Sequence, residues 1–290
     1  MIPAAFDYHA PKTLAEAVAL LREFKDSAKV LSGGQSLLPL LKLRLGQAGH
    51  LVDIGRIPGL EYIKEEGGML RIGGRTREAA LERSEVIRQR YPILLDTAQV
   101  IADPVVRNMA TVGGNLAHGD PGNDHPATMI ALGAQVVATG PSGERVIPID
   151  SFFVGLFTTS LKPDEIVTEI RIPVPPARSG GAYVKLERKV GDYATAAAAA
   201  QVTLAASGAI ERVGLALTNV GPTPVRAAAA EKLLTGKKPD AAALAEAGKA
   251  VAQACSPTED RRGKQDYKRE MARVLAQRAL KKAVQRAGGN

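Results

Sequence analysis

The chain has 290 residues, 45% apolar and 23% charged, with one cysteine and a net charge of +8. That length supports a sizeable core, and the composition excludes wholesale disorder. The single thiol, Cys255, excludes an internal disulfide framework. It equally excludes a cysteine-ligated iron–sulfur cluster or cysteine-rich zinc site built from this chain alone.

The charge is unevenly placed. The last thirty residues, from Arg261 onward, hold ten Lys/Arg and two acids, so the rest of the chain is neutral overall. A basic face on one helix reads first as a solvated or docking surface, with Lys281, Lys282 and Arg286 as candidate docking residues. Tryptophan is absent and aromatics make up 4%, so platforms for stacking bases are scarce and no nucleic-acid partner is expected. No basic segment followed by an apolar run opens the chain. The longest uncharged stretch, Tyr193 to Ile210, is built from alanine and broken by polar residues. It is expected to be a buried strand, with no transmembrane segment.

Taken in chain order, Thr13 to Lys25 reads as a helix opened by the capping-box pattern Thr13-Leu14-Ala15-Glu16. Lys29 to Leu31 and Leu51 to Ile54 are short apolar strands on either side of a Ser-Gly-Gly turn. This is the outline of an α/β unit. The pattern changes near Gly59. Met69 to Gly74 reads as a strand, Thr76 to Arg90 as one helix, and Ile93 to Ile101 as another. A glycine- and proline-rich passage fills Thr111 to Pro126. Gln135–Ala138 and Arg145–Pro148 flank a hairpin turn, Glu165 to Ile172 is a strand, and the prolines from Pro173 to Pro176 mark a boundary. Tyr183–Leu186, Thr195–Leu204 and Arg212–Thr218 then read as an antiparallel sheet. Arg226–Leu234, Ala241–Cys255 and Asp266–Val284 read as helices.

Four constellations could carry chemistry. Ser32-Gly33-Gly34-Gln35-Ser36 follows a strand, and adjacent glycines let backbone amides approach an anion closely. Taken alone, a tight turn is the simpler reading. Thr111-Val112-Gly113-Gly114-Asn115 repeats the same chemistry, and two such loops could clasp one extended anion, with a diphosphate as the natural guess. His118 to His125 holds two His and two Asp, but Pro121 and Gly122 impose a turn and only His9 and His50 lie elsewhere. No metal site is expected, and Asp124 reads as an acceptor for a ligand. Lys185, with Gly191-Asp192-Tyr193 beyond it, could hold negative charge and cover an aromatic ring. A charged edge strand is an equal reading. No residue is assigned as catalytic: the G-x-S-x-G elbow is missing, and Cys255 sits in an alanine-rich helix.

The two loops, extended through Leu37-Leu38-Pro39 and Leu116 to Asp124, resemble the FAD loops of the medium subunits of molybdenum hydroxylases, the carbon monoxide dehydrogenase and xanthine dehydrogenase family. The similarity runs nearly end to end, through Phe152-Phe153-Val154-Gly155, Lys185-Leu186-Glu187-Arg188-Lys189 and Gly191-Asp192-Tyr193-Ala194-Thr195. The chain departs from a common form of the motifs in reading SGGQS and TVGGN for AGGHS and TIGGD. The resemblance implies an α+β protein with the vanillyl-alcohol oxidase/xanthine dehydrogenase-type FAD-binding fold. Two α/β subdomains (about 1–55 and 56–176) would make an FAD-binding domain, followed by a C-terminal domain (177–290) of a small antiparallel sheet and helices.

The same resemblance implies the site. Val30 and Leu31 would lead into the amides of Ser32, Gly33, Gly34, Gln35, Ser36 and Leu37, which with those of Gly113, Gly114 and Asn115 would hold the FAD diphosphate. Thr111 and Ser36 would add hydroxyl bonds, and Asp124 would bond the ribityl or isoalloxazine part. Ile101 and Ile166 would line the adenine or flavin pocket, Lys185 would sit near the flavin, and Tyr193 would lie at its face. The implied partners are a molybdopterin-binding large subunit and a [2Fe–2S] small subunit, in a dimer of heterotrimers. Their location would be cytoplasmic, or peripheral at the inner face of the membrane through partners. FAD would pass electrons to a quinone, NAD or another acceptor. A self-contained flavin-dependent oxidoreductase is the alternative.

Overall fold

The structure, a computed structural model, describes residues 1–288. Residues 289 and 290 of the expected C-terminal domain lie outside the described residues. Strand β1 (Asp7–His9), helix α1 (Leu14–Phe24), β2 (Ala28–Leu31), α2 (Leu37–Lys42) and β3 (His50–Asp53) form a parallel three-stranded unit, in the order β1-β3-β2. The hydroxyl of Thr13 caps α1 by accepting from the Glu16 amide at 3.2 Å. Glu16 reaches back to the amide of Lys12 at 2.8 Å, one residue before the position a capping box uses. Ala17, Val18 and Leu21 of α1 are buried in one cluster with Val52, Ile54, Ile57 and Leu60. The Ser32–Ser36 loop leaves the carboxyl end of β2, where ligands of parallel α/β units bind.

The second unit opens with the hairpin β4 (Ile63–Glu66) and β5 (Met69–Gly73). Six helices follow: α3 (Glu78–Arg83), α4 (Glu85–Arg90), α5 (Pro92–Gln99), α6 (Pro104–Arg107), α7 (Val112–Ala117) and α8 (Asp124–Leu132). Then come β6 (Gln135–Gly140), β7 (Gly143–Pro148), the small hairpin β8 (Phe153–Gly155) with β9 (Thr158–Thr159), and β10 (Ile166–Pro173). The large sheet is antiparallel throughout, in the order β4-β5-β10-β6-β7.

Two expectations change here. The single helix over Thr76–Arg90 is two helices broken at Ser84, which is extended and turns its hydroxyl to the Ile87 amide at 3.4 Å. The serine caps the second helix instead of continuing the first. The passage Thr111–Pro126 is not all loop. It contains α7 and the start of α8, because Thr111 caps α7 through the Gly114 amide at 3.2 Å.

The third unit is the antiparallel sheet β11 (Ser179–Leu186), β12 (Ala196–Leu204), β13 (Ile210–Thr218) and β14 (Val225–Arg226), followed by α9 (Ala228–Leu234), α10 (Ala241–Ala254) and α11 (Gln265–Arg286). The alanine-rich stretch is β12, with Ala196 to Ala200 all at 0% exposure. Small side chains there let α11 lie close on the sheet. A Cβ on Gly180 would strike the Ala283 carbonyl and the Ala287 amide, and come 2.7 Å from the Arg286 carbonyl carbon. Helix α8 is buried along its whole length and contacts β10, β12 and β13, so it joins the second and third units. Among the described residues, no helix is long and apolar enough to cross a membrane.

The basic tail is less available than its charge suggests. Lys282 and Arg286 both bond Asp96 of α5, at 3.1 and 2.6 Å. Lys268 is buried, donating to the Thr258 carbonyl at 3.0 Å and pairing with Asp260 at 2.8 Å. Of the three candidate docking residues, Lys281 alone faces solvent with no ion pair among the described residues.

The contact at Gly180 makes a direct test. Gly180→Ala should overpack the α11–sheet interface and cost about 1–3 kcal/mol. A lowered thermal midpoint, read by circular dichroism, checks it.

Candidate cofactor-binding site

The two glycine loops meet. The hydroxyls of Ser32 and Thr111, 79 residues apart in the chain, lie 3.0 Å from each other. Gly33 packs onto the backbone before the second loop, where a Cβ would strike the Met109 carbonyl and come 2.8 Å from the Ala110 Cα. Gly34 has φ +75°, the left-handed region that glycine enters without strain. Among the described residues, the amides from Gly33 to Leu37 donate to no acceptor of the chain. A row of unengaged amides between a strand and a helix is a nest for phosphate oxygens. Val30 and Leu31 are half-buried in front of it, and Gln35, Ser36 and Leu37 are half-buried within it.

The second loop works differently from the expectation. Its amides are already engaged: Gly113 donates to the Gly74 carbonyl at 3.0 Å, Gly114 to the Thr111 hydroxyl at 3.2 Å, and Asn115 to the Thr111 carbonyl at 2.9 Å. These bonds form the first turn of α7 and fasten it to the β5 end, so the loop supports the first one. It does not offer a second amide cradle. Its open group is the Asn115 Oδ1, buried and without a partner. An orphaned acceptor beside a phosphate nest suits a sugar hydroxyl, so the two loops together fit a dinucleotide such as FAD.

Deeper in the fold, Asp124 opens α8 and is 6% exposed. Its Oδ1 accepts from the Tyr183 hydroxyl at 2.6 Å, and its Oδ2 from the Lys185 Nζ at 3.0 Å. Burial raises the Asp124 pKa, opposed by the Lys185 charge and by these bonds. Each oxygen takes one donor from the chain, so these bonds orient the carboxylate and leave it further lone pairs with which to accept from a ligand. Lys185 is also enclosed, with its side chain 2% exposed. Its Nζ reaches the Val100 carbonyl at 2.9 Å and Glu187 at 3.4 Å.

Tyr193 lies at the surface, 46% exposed. The Arg262 guanidinium carbon is 5.6 Å from its ring centre, within cation–π range. Asp192 holds the arrangement, accepting from Arg262 at 2.7 Å and from Arg188 at 2.9 Å. The two guanidinium groups hold the Asp192 carboxyl down at about 2. Ile101 and Ile166 are both buried. Ile101 follows α5, its carbonyl taken by Arg107 at 3.0 Å, and Ile166 belongs to the core cluster with Ile54 and Leu60.

Two contacts escaped the sequence reading. Tyr183 lies two residues before Lys185, on the same face of β11, and that alternation was the available signal. His125 pairs with Glu78 at 2.6 Å, both at 0% exposure, which joins the start of α8 to the start of α3. Nothing in the sequence spacing of those two residues announced the contact.

Comparison with known proteins is consistent along the whole chain. A family model described as the FAD binding domain in molybdopterin dehydrogenase matches residues 4–175, and the CO dehydrogenase flavoprotein C-terminal domain matches residues 181–283. The carbon monoxide dehydrogenase medium chain of Hydrogenophaga pseudoflava is 48% identical over 98% of both chains. The glyceraldehyde dehydrogenase medium chain of Sulfolobus acidocaldarius is 35% identical over 98% of this chain and all of its own. The solved structure of carbon monoxide dehydrogenase from H. pseudoflava lacking the Mo-pyranopterin moiety superposes with a TM-score of 0.96, covering 99% of both chains at 49% identity.

Two outcomes follow from the site geometry. Gly33→Ala should separate the loops and weaken FAD retention at least tenfold, read as flavin absorbance per chain after desalting. Asp192 has a depressed carboxyl, so its ion pairs stabilise the fold above the ordinary carboxylate range and lose that contribution as pH falls toward about 2. Asp192→Asn should therefore flatten the acid limb of the melting-temperature profile and leave the neutral region less stable.

Proposed function

Since the chain belongs to the FAD-binding medium subunits of the molybdenum hydroxylases, we propose that it is the station through which electrons drawn from a substrate on a partner subunit leave the complex. It is the flavoprotein subunit of an oxidoreductase of the carbon monoxide dehydrogenase and xanthine dehydrogenase type. FAD, when bound, takes up electrons from iron–sulfur clusters and passes them on to a quinone, NAD or another acceptor.

The chain's own residues bind and orient. The unengaged amides from Gly33 to Leu37 would neutralise the diphosphate, with the Ser32, Ser36 and Thr111 hydroxyls beside them. Asn115 would accept from a sugar hydroxyl. Lys185, held by Val100, Asp124 and Glu187, would set a fixed positive charge near the redox end, and Tyr193 would cover the ring face. Ile101 and Ile166 would close the apolar surroundings. The observation that carries this reading is the Ser32–Thr111 contact, which joins the loop after β2 and the start of α7 into one wall.

The division of labour follows from the composition. Two [2Fe–2S] clusters need more thiolates than the one this chain has, and Cys255 is buried with its thiol pushed up to about 11. The clusters then belong to a small partner and the molybdopterin to a large one, in a dimer of heterotrimers. We place that complex in the cytoplasm, or peripherally on the inner face of the membrane. Named relatives act on carbon monoxide and on glyceraldehyde, so the reducing substrate is chosen by the large partner. Within the chain, residues 1–176 would be the FAD-binding domain, in subdomains of about 1–55 and 56–176, and 177–290 the C-terminal domain.

The test is co-expression with partner subunits, followed by desalting and a visible spectrum. We expect one FAD per medium chain in the assembled complex, and no substrate oxidation by the isolated, FAD-loaded chain. An assembled complex without flavin overturns the reading, and turnover by the isolated chain replaces it with a self-contained flavin oxidoreductase.

A further inference from the structure

Tyr183 of β11 lies among groups from three other elements. Its amide donates to Asp96 of α5 at 3.2 Å. Its hydroxyl donates to Asp124 of α8 at 2.6 Å, with the Thr218 hydroxyl of β13 at 3.2 Å. Two residues along β11, on the same face, Lys185 meets the other oxygen of that carboxylate at 3.0 Å and the carbonyl of Val100, just past α5, at 2.9 Å.

An ammonium has three N–H donors. Two are engaged at Lys185, by the Val100 carbonyl and Asp124, and Glu187 lies 3.4 Å away as an ion pair. These groups fix where the cation sits and how much of its charge is balanced, and so the field it exerts on a neighbour. The strength of that field depends on whether Asp124 stays ionised and in place. Of the groups that hold Asp124, Tyr183 alone carries no charge under neutral conditions, since burial and the adjacent carboxylate keep its phenol protonated.

We propose that Tyr183 is a positioning residue for the redox site: through Asp124 it fixes the place of the Lys185 ammonium and the negative charge that balances it, and so helps set the reduction potential of the bound flavin. The inference rests on the reading above that Lys185 stands near the flavin. Removing the phenol oxygen leaves one Asp124 oxygen without a donor in a site closed to water. The carboxylate then takes a proton more readily, and the uncompensated positive charge at Lys185 grows. A more positive surrounding favours the reduced flavin.

The experiment is reductive titration of the assembled holoenzyme against reference dyes, comparing wild type, Tyr183→Phe and Lys185→Met. FAD content per chain is measured alongside. For Tyr183→Phe we expect the reduced-to-oxidised ratio at fixed potential to rise about tenfold, which is about 30 mV for a two-electron couple. FAD content should stay near one per chain. Lys185→Met should move the potential downward. If Lys185→Met moves it and Tyr183→Phe does not, Tyr183 serves packing only: the inference fails and the reading of the site stands. If neither moves it, the placement of Lys185 near the flavin fails and takes the inference with it. Should Tyr183→Phe not assemble, Thr218→Val removes the other hydroxyl at the phenol, and a smaller shift of the same sign is expected. No shift there overturns the inference.

Discussion

Backbone must touch backbone for the two glycine loops to form one wall, and a run of missing Cβ atoms permits it. Gly74 packs under the Val167 carbonyl of β10, Gly113 packs on Gly74, and Gly33 packs on the Met109–Ala110 backbone. The series runs from the large antiparallel sheet, through the start of α7, to the loop after β2. Each contact has a polar counterpart: the Gly74 amide bonds Thr168, the Gly113 amide bonds Gly74, and Ser32 meets Thr111. A side chain anywhere along this series would push the parallel unit away from the antiparallel one. The amide nest would then open on one side. The cradle is therefore a property of how two sheets meet, and not of the first loop alone.

The third unit is tied into the same arrangement by charge. Asp96 of α5 accepts from Lys282 and Arg286 of α11 and from the Tyr183 amide of β11. Its own side chain is 13% exposed, while those of Lys282 and Arg286 are 44% and 29% exposed, so the pairs sit at the rim of the interface. Helix α5 thus meets the C-terminal helix at its middle and Lys185 at its end. Packing of α8 between the two units adds the apolar share. The C-terminal sheet supplies the lysine and tyrosine, the middle unit supplies the aspartate, and neither has a finished site without the other.

Much of this was legible in the residues. The strand, glycine turn and helix around Ser32–Ser36, the hairpin at Gly140–Gly143 and the three long C-terminal strands all follow from local pattern. The resemblance carried by the two loops named the fold and the cofactor. The rest depended on long-range packing. Ser84 broke an otherwise periodic helix because its hydroxyl found the Ile87 amide. The glycines of the second loop entered a helix because their neighbours, Gly74 and Thr111, accepted their amides. Asp124 found its donors, Tyr183 and Lys185, 59 and 61 residues further along the chain. The basic face of α11 was partly neutralised by an aspartate 186 residues away from Lys282. Such partners are set by the fold, and no window of sequence around either residue contains them.

The single thiol bears on how the protein behaves near oxygen. Cys255 is 5% exposed, its Sγ points at the Val251 carbonyl 3.2 Å away, and its thiol stays protonated well beyond neutral pH. Oxidants attack the thiolate and need access to it, and this residue offers neither. Peroxide would therefore meet no sulfenic-acid chemistry and no disulfide exchange at this residue. Oxidative ageing of the chain would begin instead at its exposed methionines, Met1 at 85% and Met109 at 49% exposure.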